Sequence, residues 1–251
     1  MIALEARGLA IGYRHHAVGE KIDLTLANGE VLCLLGPNGS GKTTLFRTLL
    51  GILPALRGEV RVAGRRIGEW HRRDLARRLA YVPQSHAGLF AFTVEEVVLM
   101  GRTARIDRFA TPSARDREVA RQALDTLGIG LLAERVYTEI SGGERQLALI
   151  ARALAQEATI LILDEPTASL DFGNQLRVLE HIVGLKTRGL AVLMSTHQPE
   201  HALRVADRIA FLKTGRIVAQ GEHNIASARS LADLYGVDER LVATSLPQSV
   251  S

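Results

Sequence analysis

The chain has 251 residues, of which 47% are hydrophobic, so it can build a large core and is not an intrinsically disordered protein. Its one cysteine, Cys33 in the apolar run VLCLLG, excludes disulfides within the chain and is expected to be a small buried hydrophobe in a reducing compartment. The formal net charge of +4 is a weak signal for an anionic partner, because the arginines are scattered. No stretch reaches the roughly 18 uninterrupted apolar residues of a membrane-spanning helix. The opening MIALEARGLA lacks a secretion-signal pattern, so we expect a protein that is soluble in itself.

The first part of the chain reads mainly as β-strands. Three runs, LEARGLAIGY, KIDLTLANG and EVLCLLG, predict strands, and Asn28-Gly29 between the last two predicts a hairpin turn. A glycine-rich loop at 36–41 then leads into a helix that begins at Lys42 and ends near Gly51. A second hairpin is expected with Gly64 at its turn, and RLAYVPQ predicts one more strand.

From about residue 85 to 140 the pattern becomes helical, in the segments TVEEVVLMGR, ARDREVARQALDTLGI and LLAERV. After it, helices alternate with the buried strands TILILD and LAVLMS, and a hairpin turns at Thr214-Gly215. This order predicts an α/β fold with a mainly parallel sheet, an antiparallel β subdomain and an inserted helical subdomain. Within one domain we assign residues 1–84 and 156–251 to the core and β subdomain, 85–155 to the helical subdomain, and 240–251 to a tail in which SLPQSVS is expected to be frayed.

The stretch GPNGSGKTT, residues 36–44, matches the P-loop pattern G-x-x-x-x-G-K-[ST], with a strand before it and a helix after it. Glycines let backbone N–H groups approach phosphate oxygens, and the helix start adds its own unpaired N–H groups. A P-loop NTPase core follows. Lys42 should reach the β- and γ-phosphates, and the Thr43 hydroxyl should bind Mg²⁺. The predicted nucleotide-binding residues here are Gly36, Pro37, Asn38, Gly39, Ser40, Gly41, Lys42, Thr43 and Thr44.

The stretch ILILDEP, residues 160–166, is a buried strand that ends in two acids. Parallel strands present ligand-binding residues at their carboxyl ends, so Asp164 should face the P-loop and hold Mg²⁺. Glu165 follows directly and could act as the general base that activates the attacking water. A bare acidic turn would be the simpler interpretation, but it is disfavoured behind a P-loop.

A second helix N-terminus that could bind a phosphate lies at residues 141–144, Ser-Gly-Gly-Glu. Ser141 and Glu144 have the spacing of a capping box, which needs no glycine between them. Gly142 and Gly143 leave the first turn without side chains, so an anion could touch its N–H groups. One P-loop suffices for one nucleotide, so this second surface fits the γ-phosphate held by another copy of the chain. That arrangement predicts a dimer with two nucleotides between its subunits.

The stretch ISGGERQ resembles the signature loop of the ABC-transporter ATPases, although that family usually has Leu and Gln where this chain has Ile140 and Glu144. The resemblance covers nearly the whole chain, in the family's order. We call residues 141–144 the signature loop and residues 169–171 the crossing loop. By resemblance, Tyr13 stacks on adenine, Gln84 senses Mg²⁺ and the membrane partner, Ser169 and Asp171 cross the dimer interface, and His197 is the switch histidine near the γ-phosphate.

The resemblance implies ATP hydrolysis with ATP and Mg²⁺, by a homodimer at the cytoplasmic face of the plasma membrane. The implied catalytic residues are Glu165, His197, Gln84 and Lys42, with Thr43, Gln84 and Asp164 toward Mg²⁺. The partners would be permease subunits docked on the helical subdomain and an extracytoplasmic substrate-binding protein, with no direct nucleic acid contact. FTVEEVVLMGR resembles importers of metal chelates such as iron–siderophores, haem and cobalamin.

Other functions stay open from the sequence. One is another ABC system, either an oxyanion importer or an exporter. Another is a soluble ABC ATPase that acts on nucleic acid or ribosomes, although the interval from Gln84 to Ser141 has no heptads and no cysteine pairs. A small-molecule P-loop kinase would leave the signature loop unexplained. The seven histidines other than His197 receive no role, and no metal-ligand cluster is predicted.

Overall fold

The computed structural model describes residues 1–14, 16–84, 91–107 and 110–245. The strands are β1 (Ile2–Tyr13), β2 (His16–Ala27), β3 (Val31–Leu35), β4 (Arg57–Val62), β5 (Arg65–Arg66), β6 (Leu79–Val82), β7 (Ile160–Asp164), β8 (Ala191–Thr196), β9 (Arg208–Lys213) and β10 (Arg216–Gly221). The α-helices are α1 (Lys42–Leu49), α2 (Arg72–Ala76), α3 (Val94–Leu99), α4 (Ala114–Thr126), α5 (Gly142–Ala155), α6 (Phe172–Thr187), α7 (Pro199–Val205), α8 (Ala228–Tyr235) and α9 (Glu239–Ser245).

The strands form two sheets. A six-stranded sheet has the order β10-β9-β3-β8-β7-β6, and all its neighbours are parallel except β9 and β10. A four-stranded antiparallel sheet has the order β2-β1-β4-β5. The predicted α/β class, with a mainly parallel sheet beside an antiparallel one, is confirmed.

The central strands explain the parallel sheet. All five residues of β3 and all five of β7 are buried, as expected for strands covered on both faces. Phe46 of α1 is also fully buried and packs into the cluster between the two sheets. Because β3, β8, β7 and β6 run parallel, their carboxyl ends lie at one edge of the sheet, where the loops of the candidate site begin.

The hairpin predicted at Asn28-Gly29 is wrong. Gly29 does adopt a left-handed φ of 67°, but β2 pairs with β1 in one sheet while β3 lies between β8 and β9 in the other. The turn therefore carries the chain from one sheet to the next. The run VLCLL is apolar throughout, and the buried centre of a parallel sheet accommodates it better than a hairpin with one solvated face.

The hairpins at Gly64 and at Thr214-Gly215 form as predicted, between β4 and β5 and between β9 and β10. Helix α5 begins at Gly142, so the glycines belong to its first turn. Of the helix predicted at 131–136, only a 3₁₀ turn at Gly130–Leu132 is present.

Two carboxyl-terminal helices were not predicted. Helix α8 is capped by Gly236, which has a left-handed φ of 70°, and α9 covers 240–245 of the segment predicted as a tail. Leu231 and Leu234 of α8 are buried, whereas α9 buries no residue, so the limit of the tail stays a prediction. The remainder of the predicted tail lies outside the described residues.

Helices α3, α4 and α5 pack together within the segment predicted as a helical subdomain. Val97, Ala120 and Ile150 belong to the same buried cluster as Leu163 of the central sheet, so the hydrophobic core runs across the predicted boundary. The domain limits therefore stay a prediction. None of the described helices has the length and apolar character needed to cross a bilayer.

Candidate functional site

The P-loop joins β3 to α1 and leaves the start of α1 open. Gly41 caps the helix with a left-handed φ of 102° and no side-chain hydrogen bond, and Gly39 has a φ of 79°. The first N–H groups of α1 therefore receive no side-chain cap. A Cβ at Gly36 would lie 2.8 Å from Ser40 Oγ and closer still to the carbonyl of Leu212. The tight packing of this loop requires glycine at its first position.

Lys42 is a buried cation at the floor of the loop. Its Nζ donates to the carbonyls of Gly36, at 2.8 Å, and Pro37, at 3.2 Å. It also pairs with Glu165 Oε1 at 3.2 Å, and only 6% of the lysine side chain and 8% of the glutamate side chain are exposed. The lysine thus links the P-loop to the end of β7.

Glu165 is where the predicted catalytic residues converge. Its Oε2 accepts a hydrogen bond from Gln84 Nε2 at 3.1 Å and lies 3.1 Å from His197 Nδ1. Because a carboxylate only accepts, the histidine Nδ1 must carry the proton. Glu165 also holds a left-handed φ of 47°, which is uncommon for a residue with a side chain. Lys42, Gln84 and His197 therefore surround one carboxylate with a strained backbone, and their catalytic roles stay predictions.

Asp164 is almost fully buried beside Glu165, with 1% exposure. Its Oδ1 accepts from Ser195 Oγ at 2.7 Å, and its Oδ2 accepts from the Tyr81 hydroxyl at 3.3 Å. Burial, and then the charge of Asp164, raise the pKa of Tyr81 to about 12. The Ser195 hydroxyl also accepts from the Glu165 backbone N–H at 2.9 Å. One serine thus orients both acids.

Sequence reasoning missed Tyr81 and Ser195. Both stand on the strands that flank β7, and Ser195 pairs directly with Asp164 in the sheet register. A polar residue at the carboxyl end of each flanking strand is the signal that could have found them, since parallel strands align these ends.

The residues gather around an open cleft of about 550 Å³. Its lining comprises Val18, Asn38, Gly39, Gly41, Lys42, Thr43, Thr44, Gln84, Glu165, Ala168, Ser169, His197 and Gln198. The structure therefore brings most of the P-loop together with the predicted base, glutamine, switch histidine and crossing-loop serine. Among the described residues, no group of three or more His, Cys, Asp or Glu side chains could hold a metal ion.

Tyr13 lies at the end of β1, outside the lining of this cleft. Its side chain is 45% exposed, and its hydroxyl accepts a hydrogen bond of 3.4 Å from Arg47 on the outer face of α1. The residue is accessible to a planar ligand, and stacking on adenine stays a prediction.

The signature loop shows the capping box in full. The Glu144 backbone N–H donates to Ser141 Oγ at 3.3 Å, and Ser141 N–H donates to Glu144 Oε2 at 2.8 Å. These bonds to Ser141 lower the pKa of Glu144. Ser141 and Gly142 are exposed, and no residue of 141–144 is among the described residues that line the cleft. The loop therefore presents a capped helix N-terminus that is partly exposed and does not line its own chain's cleft.

The crossing loop leads from the cleft to α6. Ser169 lines the cleft and has a left-handed φ of 62°. Asp171 is the N-cap of α6, because its Oδ1 accepts from the Asn174 N–H at 2.9 Å. Asp171 is exposed and does not line the cleft.

Comparison with known proteins identifies the family in which this combination of loops occurs. The family model for the ABC transporter matches residues 20–168. An uncharacterized ABC transporter ATP-binding protein of Haemophilus influenzae is 43% identical over 96% of this chain and 92% of its own length. This chain belongs to the ABC transporter family. It is an ATPase, and its nucleotide is ATP.

Two further relatives carry more informative names. The hemin import ATP-binding protein HmuV of Gloeobacter violaceus is 40% identical over 88% of this chain and 82% of that protein. The molybdate import ATP-binding protein MolC of Haemophilus influenzae is 36% identical over 93% of this chain and 88% of that protein. Among solved structures, an inward-facing protein described as a metal-chelate type ABC transporter is 36% identical, with a TM-score of 0.83 over 93% of this chain and 89% of that chain.

Proposed function

We propose that this ABC ATPase powers a membrane importer for a metal chelate, by closing as a homodimer on ATP and reopening after hydrolysis. The observation that carries the catalytic part is the convergence of Lys42, Gln84 and His197 on the Glu165 carboxylate at the P-loop.

Phosphate binding rearranges one ion pair. The open N–H groups at the start of α1 receive the phosphates, and the Lys42 ammonium turns from Glu165 Oε1 toward the β- and γ-oxygens. The lysine keeps its hydrogen bonds to the carbonyls of Gly36 and Pro37, so it moves little. Outside the cleft, the exposed Tyr13 ring offers a stacking face for adenine.

Magnesium fits the donor set at the same place. Mg²⁺ prefers oxygen ligands and is commonly held by one or two carboxylates together with substrate phosphates. Asp164 supplies a buried carboxylate, and within the described ranges the Thr43 hydroxyl makes no hydrogen bond that would compete. Thr43, Asp164 and the Gln84 side chain would hold the ion, which neutralises phosphate charge when it is bound.

Glu165 acts as the general base. Once Lys42 has turned to the phosphates, Oε1 is free to accept a proton from water, while Gln84 and His197 hold Oε2. The left-handed backbone at Glu165 fixes the direction of the carboxylate. His197 orients the base by donating Nδ1–H to Oε2, so Nε2 can bond to the γ-phosphate only in the ring form in which it also carries a proton.

The signature loop completes the site of a second copy. Ser141, Gly142, Gly143 and Glu144 do not line their own chain's cleft, and Ser141 and Gly142 are exposed. In the homodimer this surface meets the partner's γ-phosphate, while Ser169 and Asp171 cross the interface. ATP closes the dimer and ADP does not, because only the γ-phosphate gives the closed state additional contacts.

We propose permease subunits as the membrane partners. A groove of about 640 Å³ lies between the end of α1, α2 and the helical segment, with the exposed side chains of Ile52 and Met100 on its lining. We assign this groove, at the edge of the helical subdomain, to a permease segment. The complex would work at the cytoplasmic face of the plasma membrane with an extracytoplasmic binding protein, and without direct nucleic acid contact.

The import direction and the metal-chelate class rest on the hemin import relative and on the metal-chelate type transporter structure. An oxyanion such as molybdate is the second candidate, favoured by the relative from Haemophilus influenzae. The ATPase touches no cargo in this scheme, so both candidates use the same residues.

The test is a pull-down of the tagged chain from detergent-solubilised native membranes, followed by mass spectrometry. We expect an equimolar many-helix permease, whose relatives identify the cargo class. Recovery of nucleic acid, ribosomes or no partner from the soluble fraction would overturn the import function while leaving the ATPase chemistry intact.

A further inference from the structure

The two glycines of the signature loop have different surroundings. A Cβ added at Gly142 would meet nothing within 4 Å, whereas a Cβ at Gly143 would lie 2.6 Å from Asn174 Nδ2 and 2.7 Å from Asn174 Oδ1. Gly143 is a buried residue of the first turn of α5, and it has no left-handed φ. The second glycine is therefore required by contact with Asn174, and not only by phosphate access.

Asn174 cannot easily move out of the way, because the crossing loop holds its amide. Asn174 Nδ2 donates to Asp171 Oδ2 at 2.6 Å, and the Asn174 backbone N–H donates to Asp171 Oδ1 at 2.9 Å. These hydrogen bonds lower the pKa of Asp171, so the carboxylate stays ionised and remains a strong acceptor. The amide is fixed at one end of α6.

Asn174 thus touches both surfaces that the partner copy would meet. On one side it covers Gly143 of the signature loop, and on the other it fixes Asp171 of the crossing loop. Ser169, two residues earlier, lines the nucleotide cleft of its own chain. A single side chain therefore links the signature loop, the crossing loop and the local cleft.

We propose that Asn174 is a positioning residue that locks the signature loop to the crossing loop, so that both close on the partner's nucleotide as one unit. This inference rests on the proposed dimer. Asn174 touches no substrate atom and lies outside the lining of the nucleotide cleft, so its loss leaves ATP binding by the P-loop intact and weakens the closed dimer.

The test begins with Asn174→Ala in the full chain. The KM for ATP changes by less than about twofold, while kcat falls by about fivefold, a factor within the range of measured couplings between contacting residues. Glu180→Ala, at an exposed site on the same helix, is the matched surface control and leaves both constants unchanged. A loss of ATP binding in Asn174→Ala, or an unchanged kcat, contradicts the inference.

A double-mutant cycle tests the contact itself. Gly143→Ala should reduce kcat strongly in the wild-type background and about fivefold less in the Asn174→Ala background, because the added methyl group then has room. Gly142→Ala is the comparator, and its effect should be the same in both backgrounds because nothing surrounds that position. Equal effects of Gly143→Ala in the two backgrounds would overturn the coupling.

Ser141→Arg separates this inference from the proposed function. If that variant still forms a dimer on ATP, the sandwich itself is wrong and the role of Asn174 falls with it. If Ser141→Arg abolishes the dimer but the cycle shows no coupling, only the role of Asn174 is wrong.

Discussion

Replacing Glu165 with Gln changes one charge in a site where three donors meet. Lys42 Nζ points at Oε1, and Gln84 Nε2 and His197 Nδ1 point at Oε2. An amide has the same shape but supplies only one oxygen. The favoured orientation places that oxygen between Gln84 and His197, so the new NH₂ group faces the buried ammonium of Lys42.

Two magnitudes follow from this geometry. Loss of a general base lowers kcat by about 10²- to 10⁴-fold. Loss of the acceptor for a buried donor costs about 1–3 kcal/mol, which for a chain of this size lowers the melting temperature by roughly 2–12 °C. ATP gives Lys42 phosphate oxygens instead, so the nucleotide should stabilise the Glu165→Gln variant more than it stabilises the wild type.

The assay combines phosphate release, ATP binding and melting curves with and without MgATP, together with size-exclusion chromatography for the dimer. We expect Glu165→Gln to bind ATP, to turn over very slowly and to remain dimeric. Glu180→Gln, which makes the same change on an exposed carboxylate, is the control and should behave as wild type. Turnover within about threefold of wild type would refute the assignment of the base. If MgATP raised the melting temperature of Glu165→Gln and of the wild type equally, Lys42 would not exchange Glu165 for phosphate oxygens when ATP binds.

Three further changes test other parts of the structure. Ser141→Arg, at an exposed position, should spare ATP binding and folding but abolish the ATP-dependent dimer in sedimentation experiments. Gly36→Ala should destabilise the fold by about 1–3 kcal/mol, since its methyl group meets a carbonyl of β9, and denaturant titration measures this. Arg102→Met should cost about 3 kcal/mol by the same measurement, because the buried guanidinium pairs with Asp116 at 2.9 Å. Hydrogen bonds from Ser113, and then from Arg102, lower the pKa of Asp116 to about 2. Its stabilisation is therefore present above about pH 4 and is lost as the pH falls toward 2, a loss that should be smaller in Arg102→Met.

Local patterns predicted those parts of the fold that local physics decides. The P-loop glycines, the hairpin at Gly64 and the acidic pair in ILILDEP depend on short spacings whose backbone requirements can be read residue by residue. The turn at Asn28-Gly29 formed as a turn, but whether β3 pairs with β2 is decided by burial of the whole sheet. The Asn-Gly dipeptide predicts a turn, but which strands pair depends on tertiary packing.

The same distinction holds within the site. Lys42 and Glu165 could be named from motifs, whereas Ser195 depends on the register of β7 against β8. Asn174 has no motif at all, since its contact with Gly143 joins two helices that are distant in sequence. Tyr13 was named by resemblance as the residue that stacks on adenine; it lies outside the cleft lining, and its role stays a prediction.

The central claim is that ATP lies between the P-loop of one copy and the signature loop of the other. The most direct measurement mixes an Asn38→Cys variant with a Ser141→Cys variant, both carrying Glu165→Gln, and adds a short bismaleimide. Both positions are exposed and the native Cys33 is buried, so crosslinks report only the introduced pair. We expect a crosslinked heterodimer that forms with ATP and not with ADP. No crosslink with ATP, or the same yield with ADP, would contradict it.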